Sequence, residues 1–141
     1  MKAYISILRF DHWIKNIFVL PGALIAIIIF NKDLSVDLVL NIFFATLAAS
    51  FIASANYAIN EWLDRDFDAL HPDKQDRPAV VGNISSYGVY ILYFIMIFIG
   101  LFIGSFVNLY VLISLIAFIF SGLTYNVKPL RAKDLIYFDV I

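Results

Sequence analysis

The sequence predicts an all-α fold, a multi-pass transmembrane helical bundle, on three observations. Of its 141 residues, 62% are hydrophobic, with a mean hydropathy of +0.88, whereas soluble domains carry ~45–50% apolar residues. Phe contributes fourteen residues and Tyr eight, a usage that suits lipid-facing helices with interfacial rings. The charged residues gather in short stretches between apolar runs long enough to cross hydrocarbon. A chain this short has too little interior to bury such a surface on its own, which excludes a soluble domain.

The first residues, Met1 to Asn16, mix Ile5, Ile7, Leu8 and Trp13 with Lys2, Arg9, Asp11, His12 and Lys15. This reads as an interfacial segment with Trp13 at headgroup level. No short apolar core followed by a small-residue cleavage site is present, so the first long apolar run is a span and not a cleaved signal. That span is expected over about 14–30, with Pro21-Gly22 inside it as a possible kink.

A turn at Asn31–Ser35 leads into a second span over about 36–63, longer than the ~20 residues that hydrocarbon requires. Its middle carries Ala45, Ala48, Ala49, Ser50, Ala53, Ser54, Ala55 and Ala58, a small-residue stripe that permits close helix packing. This helix is therefore expected at the centre of the bundle. Asn41 and Asn56 within it should face protein and not lipid.

Residues 65–84 form a long polar connection broken by Pro72 and Pro78. A third span follows over about 87–106, then a short turn near Asn108, then a fourth span ending near Tyr125. After the polar patch Asn126–Asp134, the run from Leu135 to Ile141 begins a fifth apolar segment. The chain thus reads as the N-terminal piece, residues 1–141, of a longer membrane domain.

Nine of the ten Lys and Arg residues fall on one predicted side of the bundle, and only Lys32 falls on the other. The positive-inside rule then predicts a cell-membrane protein with its N-terminus and the 65–84 loop in the cytoplasm.

The densest chemistry lies at Asn60-Glu61-Trp62-Leu63-Asp64-Arg65-Asp66-Phe67-Asp68. At helical spacing, Asn60, Asp64 and Asp68 are i, i+4 neighbours on one face. Oxygen donors in that arrangement, where a membrane helix ends, suit a hard cation; Mg²⁺ prefers a few carboxylates completed by substrate phosphate oxygens. The alternative is a solvated helix end whose acids keep the loop soluble.

Lys74 and Arg77, beside Pro78, supply a compact charge and a planar fork that match phosphate; alternatively they anchor the loop at the membrane surface. After the fourth span, Lys128 is a candidate phosphate ligand and Tyr125 a hydrogen-bond donor or cavity wall. An interfacial ring and topology-setting charges, Arg131 and Lys133 among them, explain that patch equally. Lys15 and Asn16 stand at the mouth of span one, where the lysine could equally snorkel to the interface. Asn56, one turn deeper than Asn60, is either the cavity floor or a packed polar residue.

Several classes receive no support. The sequence has no GxxxxGK loop, no HExxH and no nucleophile elbow. It has no Cys, hence no disulfide or thiolate chemistry. Bases and acids nearly balance, so no nucleic-acid partner is expected.

Asn60-x-x-x-Asp64-x-x-x-Asp68 followed by Lys74-x-x-Arg77-Pro78 resembles the first aspartate-rich motif of the UbiA superfamily of intramembrane prenyltransferases, with Glu61 where Asp is common. The resemblance implies a helical domain of two related halves, of which this chain matches the first. Arg9-Phe10-Asp11-His12-Trp13-Ile14-Lys15-Asn16 and His71-Pro72-x-Lys74-x-x-Arg77-Pro78 are similar to the decaprenyl-phosphate phosphoribosyltransferase branch.

By resemblance, Asn60, Asp64 and Asp68 hold Mg²⁺ and the donor diphosphate, and Lys74 and Arg77 engage its phosphates. Lys128 is the basic residue after span four, acting with Asp64 and Asp68 in catalysis, and Lys15 serves near the entry to span one. The donor is then phosphoribosyl diphosphate and the acceptor polyprenyl phosphate; the alternative within the superfamily is a prenyl diphosphate with an aromatic acceptor. A second aspartate-rich motif is expected beyond Ile141, so the 141-residue piece alone is expected to be inactive. A reading from another class is a non-enzymatic membrane protein with an ion-binding loop.

Overall fold

The computed structural model describes residues 2–82 and 84–134. Six α-helices occur among them: α1 (Lys2–Ser6), α2 (Val19–Ile29), α3 (Val36–Asp68), α4 (Pro78–Val81), α5 (Ser86–Ser105) and α6 (Leu109–Asn126). Tighter 3₁₀ segments occupy Phe10–Phe18, Pro72–Lys74 and Ala132–Asp134. Four stretches are long and apolar enough to cross a bilayer: Lys2–Ile29, α3, α5 and α6. The all-α, four-span bundle expected from the sequence is therefore the observed architecture.

The expected central helix is α3. It packs along α5 and α6, which also pack on each other, and its small residues make this possible. Ala48, Ala55 and Ala58 are fully buried and Ser54 equally so. Gly100 of α5 faces Ile52 and the Ala48 carbonyl so closely that an added Cβ would lie 3.0 Å from that oxygen. In hydrocarbon, where apolar burial gives helices no advantage over lipid, such close approach is what holds them together.

Each long helix after α2 begins at a polar cap. Ser35 accepts from the Leu38 N–H at 3.2 Å, Ser85 from Gly88 at 3.1 Å and Asn108 from Val111 at 2.9 Å. These caps occupy otherwise unpaired N–H groups at the helix starts.

The structure departs from the sequence reading at two places. The first span is not one α-helix: Phe10–Phe18 is 3₁₀ and the α-helix starts only at Val19, which puts Pro21 in its first turn, where a missing N–H costs no ladder bond. The second helix does not stop near Leu63 but runs to Asp68. No Gly or Pro intervenes before Pro72, and the side chains of its last turns are held by partners from the loops. The fifth apolar run, from Leu135, lies outside the described residues.

The N-terminal segment is tied to the bundle by polar contacts. Trp13 Nε1 donates to Ser54 Oγ at 2.9 Å and Asn16 Nδ2 to Ser50 Oγ at 2.6 Å, both on α3. Tyr4 Oη accepts from the Ser85 N–H at 2.9 Å, joining α1 to the start of α5. Ile7 and Leu8 enter the same buried cluster as Ala55, Ala58 and Ile59. Over residues 2–16, the segment expected at the interface thus forms a strap against α3.

Candidate functional site

The last two turns of α3 present Asn60, Asp64 and Asp68 toward a polar cavity of about 510 Å³. Four cationic side chains share its lining: Lys74, Arg77, Arg131 and Lys133. Phe67 and Tyr125 complete the wall. The i, i+4 face read from the sequence therefore survives as a real surface, because the helix continues unbroken beneath all three residues.

Asp68 is 3% exposed. Arg77 Nη1 donates to its Oδ2 at 2.5 Å, and Lys74 Nζ lies 3.5 Å from its Oδ1. The loop after α3 can deliver both cations because Pro72 starts a 3₁₀ turn, capped by His71 Nδ1 accepting from the Asp73 N–H. Pro78 then starts α4, leaving Arg77 extended between the two.

Asp64 is held from the other side. Arg131 Nη2 donates to Oδ1 at 3.0 Å, while Lys133 Nζ lies 2.6 Å from both carboxylate oxygens. The same ammonium reaches Asn60 Oδ1 at 2.8 Å and Asn126 Oδ1 at 3.3 Å. The chain after α6 reverses through an Arg131 N–H to Val127 carbonyl bond and a 3₁₀ turn at Ala132–Asp134, which carries Lys133 back over α3.

A second cavity, about 290 Å³ and mainly apolar, adjoins the first through Asn60 and Tyr125. Ala53, Phe118 and Gly122 line it, together with Asn56. Both amide atoms of Asn56 are buried without a hydrogen-bond partner among the described residues. A Cβ added at Gly122 would collide with them, so the glycine is what leaves room for the amide.

The structure thus brings together Asn60, Asp64, Asp68, Lys74, Arg77 and Tyr125, with Asn56 in the adjoining cavity. Other candidates stand apart from the polar cavity. Lys128 and Lys15 are exposed and do not line it. Asn16 instead ties the N-terminal segment to Ser50.

Three residues that build or support the candidate site escaped the sequence reading. Arg131 and Lys133 looked like topology-setting charges, and nothing in local spacing shows that a reversal returns them to Asp64, 67 and 69 positions away. Glu61 is marked in the sequence only as standing where Asp is common in the motif, yet it is buried, 2% exposed. It lies seven residues after Ser54 and three after Ala58, both buried, and that helical phase was the signal of its burial.

Asn60, Asp64 and Asp68 offer one amide oxygen and two carboxylates, the donor types a hard cation takes, and the Lys133 ammonium lies within 3.3 Å of four oxygens, those of Asn60, Asp64 and Asn126. Among the described residues, no third carboxylate or histidine joins them. Four cations facing two carboxylates leave the cavity with an excess of positive charge, which suits an anionic substrate such as a phosphate ester.

A model of the UbiA prenyltransferase family matches residues 18–141. The chain is 38% identical over 80 residues, 55% of its length, to a decaprenyl-phosphate phosphoribosyltransferase of Corynebacterium glutamicum. It is 33% identical over 70 residues, 48% of its length, to a protoheme IX farnesyltransferase of Macrococcus caseolyticus. Those stretches cover 23% and 22% of the two relatives, so the chain spans less than a quarter of the length of the curated proteins it matches. No solved structure matches it.

Proposed function

This chain belongs to the UbiA prenyltransferase family, and from that premise we propose that it forms the donor-diphosphate site of a membrane transferase. The observation that carries the proposal is the meeting of Asn60, Asp64 and Asp68 with four cationic side chains around one cavity that adjoins an apolar one. A substrate with a charged head and a lipid tail suits that pair of cavities.

Asn60, Asp64 and Asp68 are the residues that would hold Mg²⁺, and Mg²⁺ would supply charge neutralisation for a departing diphosphate. Arg77 and Lys74 are placed to grip phosphate oxygens, the guanidinium through a planar fork and the ammonium as a point charge. Tyr125, on the wall common to both cavities, borders the junction of head and tail. Asn56 presents the nearest polar group of the apolar side.

The favoured reaction is transfer of a 5-phosphoribosyl group from phosphoribosyl diphosphate to a polyprenyl phosphate. The bond between C1 and the diphosphate breaks as a bond from C1 to the acceptor's phosphate oxygen forms. No protein nucleophile is required, because the leaving group is good and the acceptor already anionic. These side chains then act by positioning and charge stabilisation. The branch-like segments Arg9–Asn16 and His71–Pro78 support this donor, as does the similarity to the Corynebacterium protein.

A second reading, transfer of a prenyl group from its diphosphate to an aromatic acceptor, draws on the family's own description and on the farnesyltransferase relatives. Both reactions use the same diphosphate grip on the cytoplasmic side of the bundle.

Membranes carrying the full-length protein, supplied with each donor and acceptor pair in parallel, discriminate the two. Asp64→Asn is expected to lower whichever transfer occurs by about 100-fold. Wild-type transfer by that variant would rule out the assigned site.

A further inference from the structure

Lys133 holds a position that a simple phosphate-binding lysine would not choose. Its side chain is 10% exposed, and its ammonium lies within 2.6 Å of both Asp64 oxygens, 2.8 Å of Asn60 Oδ1 and 3.3 Å of Asn126 Oδ1. The Asn60 and Asp64 oxygens are the deeper half of the donor set. An ammonium and a divalent ion cannot share them, because each demands the same lone pairs and the two charges repel at such separations.

We infer that Lys133 is a built-in counter-ion that keeps Asn60 and Asp64 converged and must be displaced when a divalent cation takes their oxygens. This rests on the reading that those oxygens hold a metal. It assigns the lysine a separate role, as competitor of the ion and not as its accessory.

Two features of the fold make the exchange physically reasonable. Lys133 sits in a short 3₁₀ turn, not in a long helix, so its withdrawal breaks no long-helix hydrogen-bond ladder. Arg131 stays on Asp64 Oδ1 through its own contact, so the carboxylate keeps a partner while the ammonium leaves. Once displaced, the freed amine remains beside the polar cavity, where an arriving phosphate offers it a new anionic partner.

The consequence is a coupled order of binding. A divalent ion alone meets competition from Lys133 and binds weakly. A divalent ion together with a diphosphate binds tightly, because the phosphate takes up the displaced charge.

The test is Mn²⁺ binding to the purified full-length protein in detergent, followed by the electron paramagnetic resonance of free Mn²⁺, with and without inorganic pyrophosphate. Without pyrophosphate, Lys133→Met is expected to bind Mn²⁺ about tenfold more tightly than wild type. With pyrophosphate present, that advantage is expected to vanish or reverse.

Unchanged or weaker Mn²⁺ binding by the variant, while wild type binds Mn²⁺ normally, overturns the exchange and leaves the metal site intact. Absence of Mn²⁺ binding in both proteins under both conditions overturns the exchange together with the site reading beneath it. Should Lys133→Met fail to fold, acylation of Lys133 in the wild-type protein decides instead. Its rate is expected to rise about fivefold when Mn²⁺ saturates the protein, and no rise overturns the proposal.

Discussion

Glu61 and Arg9 are 52 positions apart, yet the Arg9 guanidinium donates to Glu61 Oε2 through Nε at 3.1 Å and Nη2 at 2.9 Å. The carboxylate is 2% exposed, and its other oxygen accepts from the Ala79 N–H at 3.2 Å. One side chain of α3 thereby fastens both the N-terminal strap and the loop helix that follows Arg77. Arg9 adopts a left-handed backbone, φ 49°, a conformation a non-glycine residue keeps only when its surroundings compel it.

Removing that carboxylate leaves Arg9 charged and the Ala79 N–H unpaired. Glu61→Ala is therefore expected to destabilise the protein by about 3–5 kcal/mol, measured as denaturant unfolding in detergent. Glu61→Gln, which can still accept from Ala79, is expected to lose less. Equal stability of Glu61→Ala and wild type would refute the fastening role.

The α3–α5 contact depends on Gly100. An alanine there places its Cβ 2.7 Å from Ile52 Cδ1 and 3.0 Å from the Ala48 carbonyl oxygen, and backbone cannot yield as a side chain can. Gly100→Ala is expected to cost about 1–3 kcal/mol. Gly104→Ala should cost less, because the obstructing atom is the far end of Leu115.

Asn56 keeps an amide buried and unpaired among the described residues, an arrangement that costs about 1–3 kcal/mol. Asn56→Leu, similar in shape and without polar atoms, is expected to raise stability by about 1 kcal/mol while reducing transfer activity. Stability gained with activity unaltered would make the residue a packing position and not part of the site.

Sidedness can be read with cysteines introduced one at a time, since residues 1–141 contain none, and labelling is compared with that of the unsubstituted protein. Leu34 and Leu70 are 72% and 83% exposed, at opposite ends of α3. Leu34→Cys is expected to react with an impermeant maleimide in intact cells, and Leu70→Cys only in inverted vesicles. The reverse pattern would overturn the cytoplasmic assignment of the cavity.

Much of the site was legible because helical spacing is a local property. Asn60, Asp64 and Asp68 share a face by periodicity alone, and Pro72 and Pro78 mark where the chain must bend to bring Lys74 and Arg77 back. Lys128 and Lys133 illustrate the limit. Both follow the fourth span, and only the reversal at Val127–Arg131 places one on Asp64 and leaves the other exposed.

The amino-acid order alone determined the membrane bundle, its four spans, the central place of α3 and the aligned oxygen donors, because hydropathy and period act over one helix at a time. The tertiary structure alone decided which cations meet those donors, that Glu61 is a buried fastener, and that Asn16 serves packing contacts with α3. Those outcomes depend on where loops return in space, and polar contacts between residues 52 to 73 positions apart leave no periodic trace in the chain.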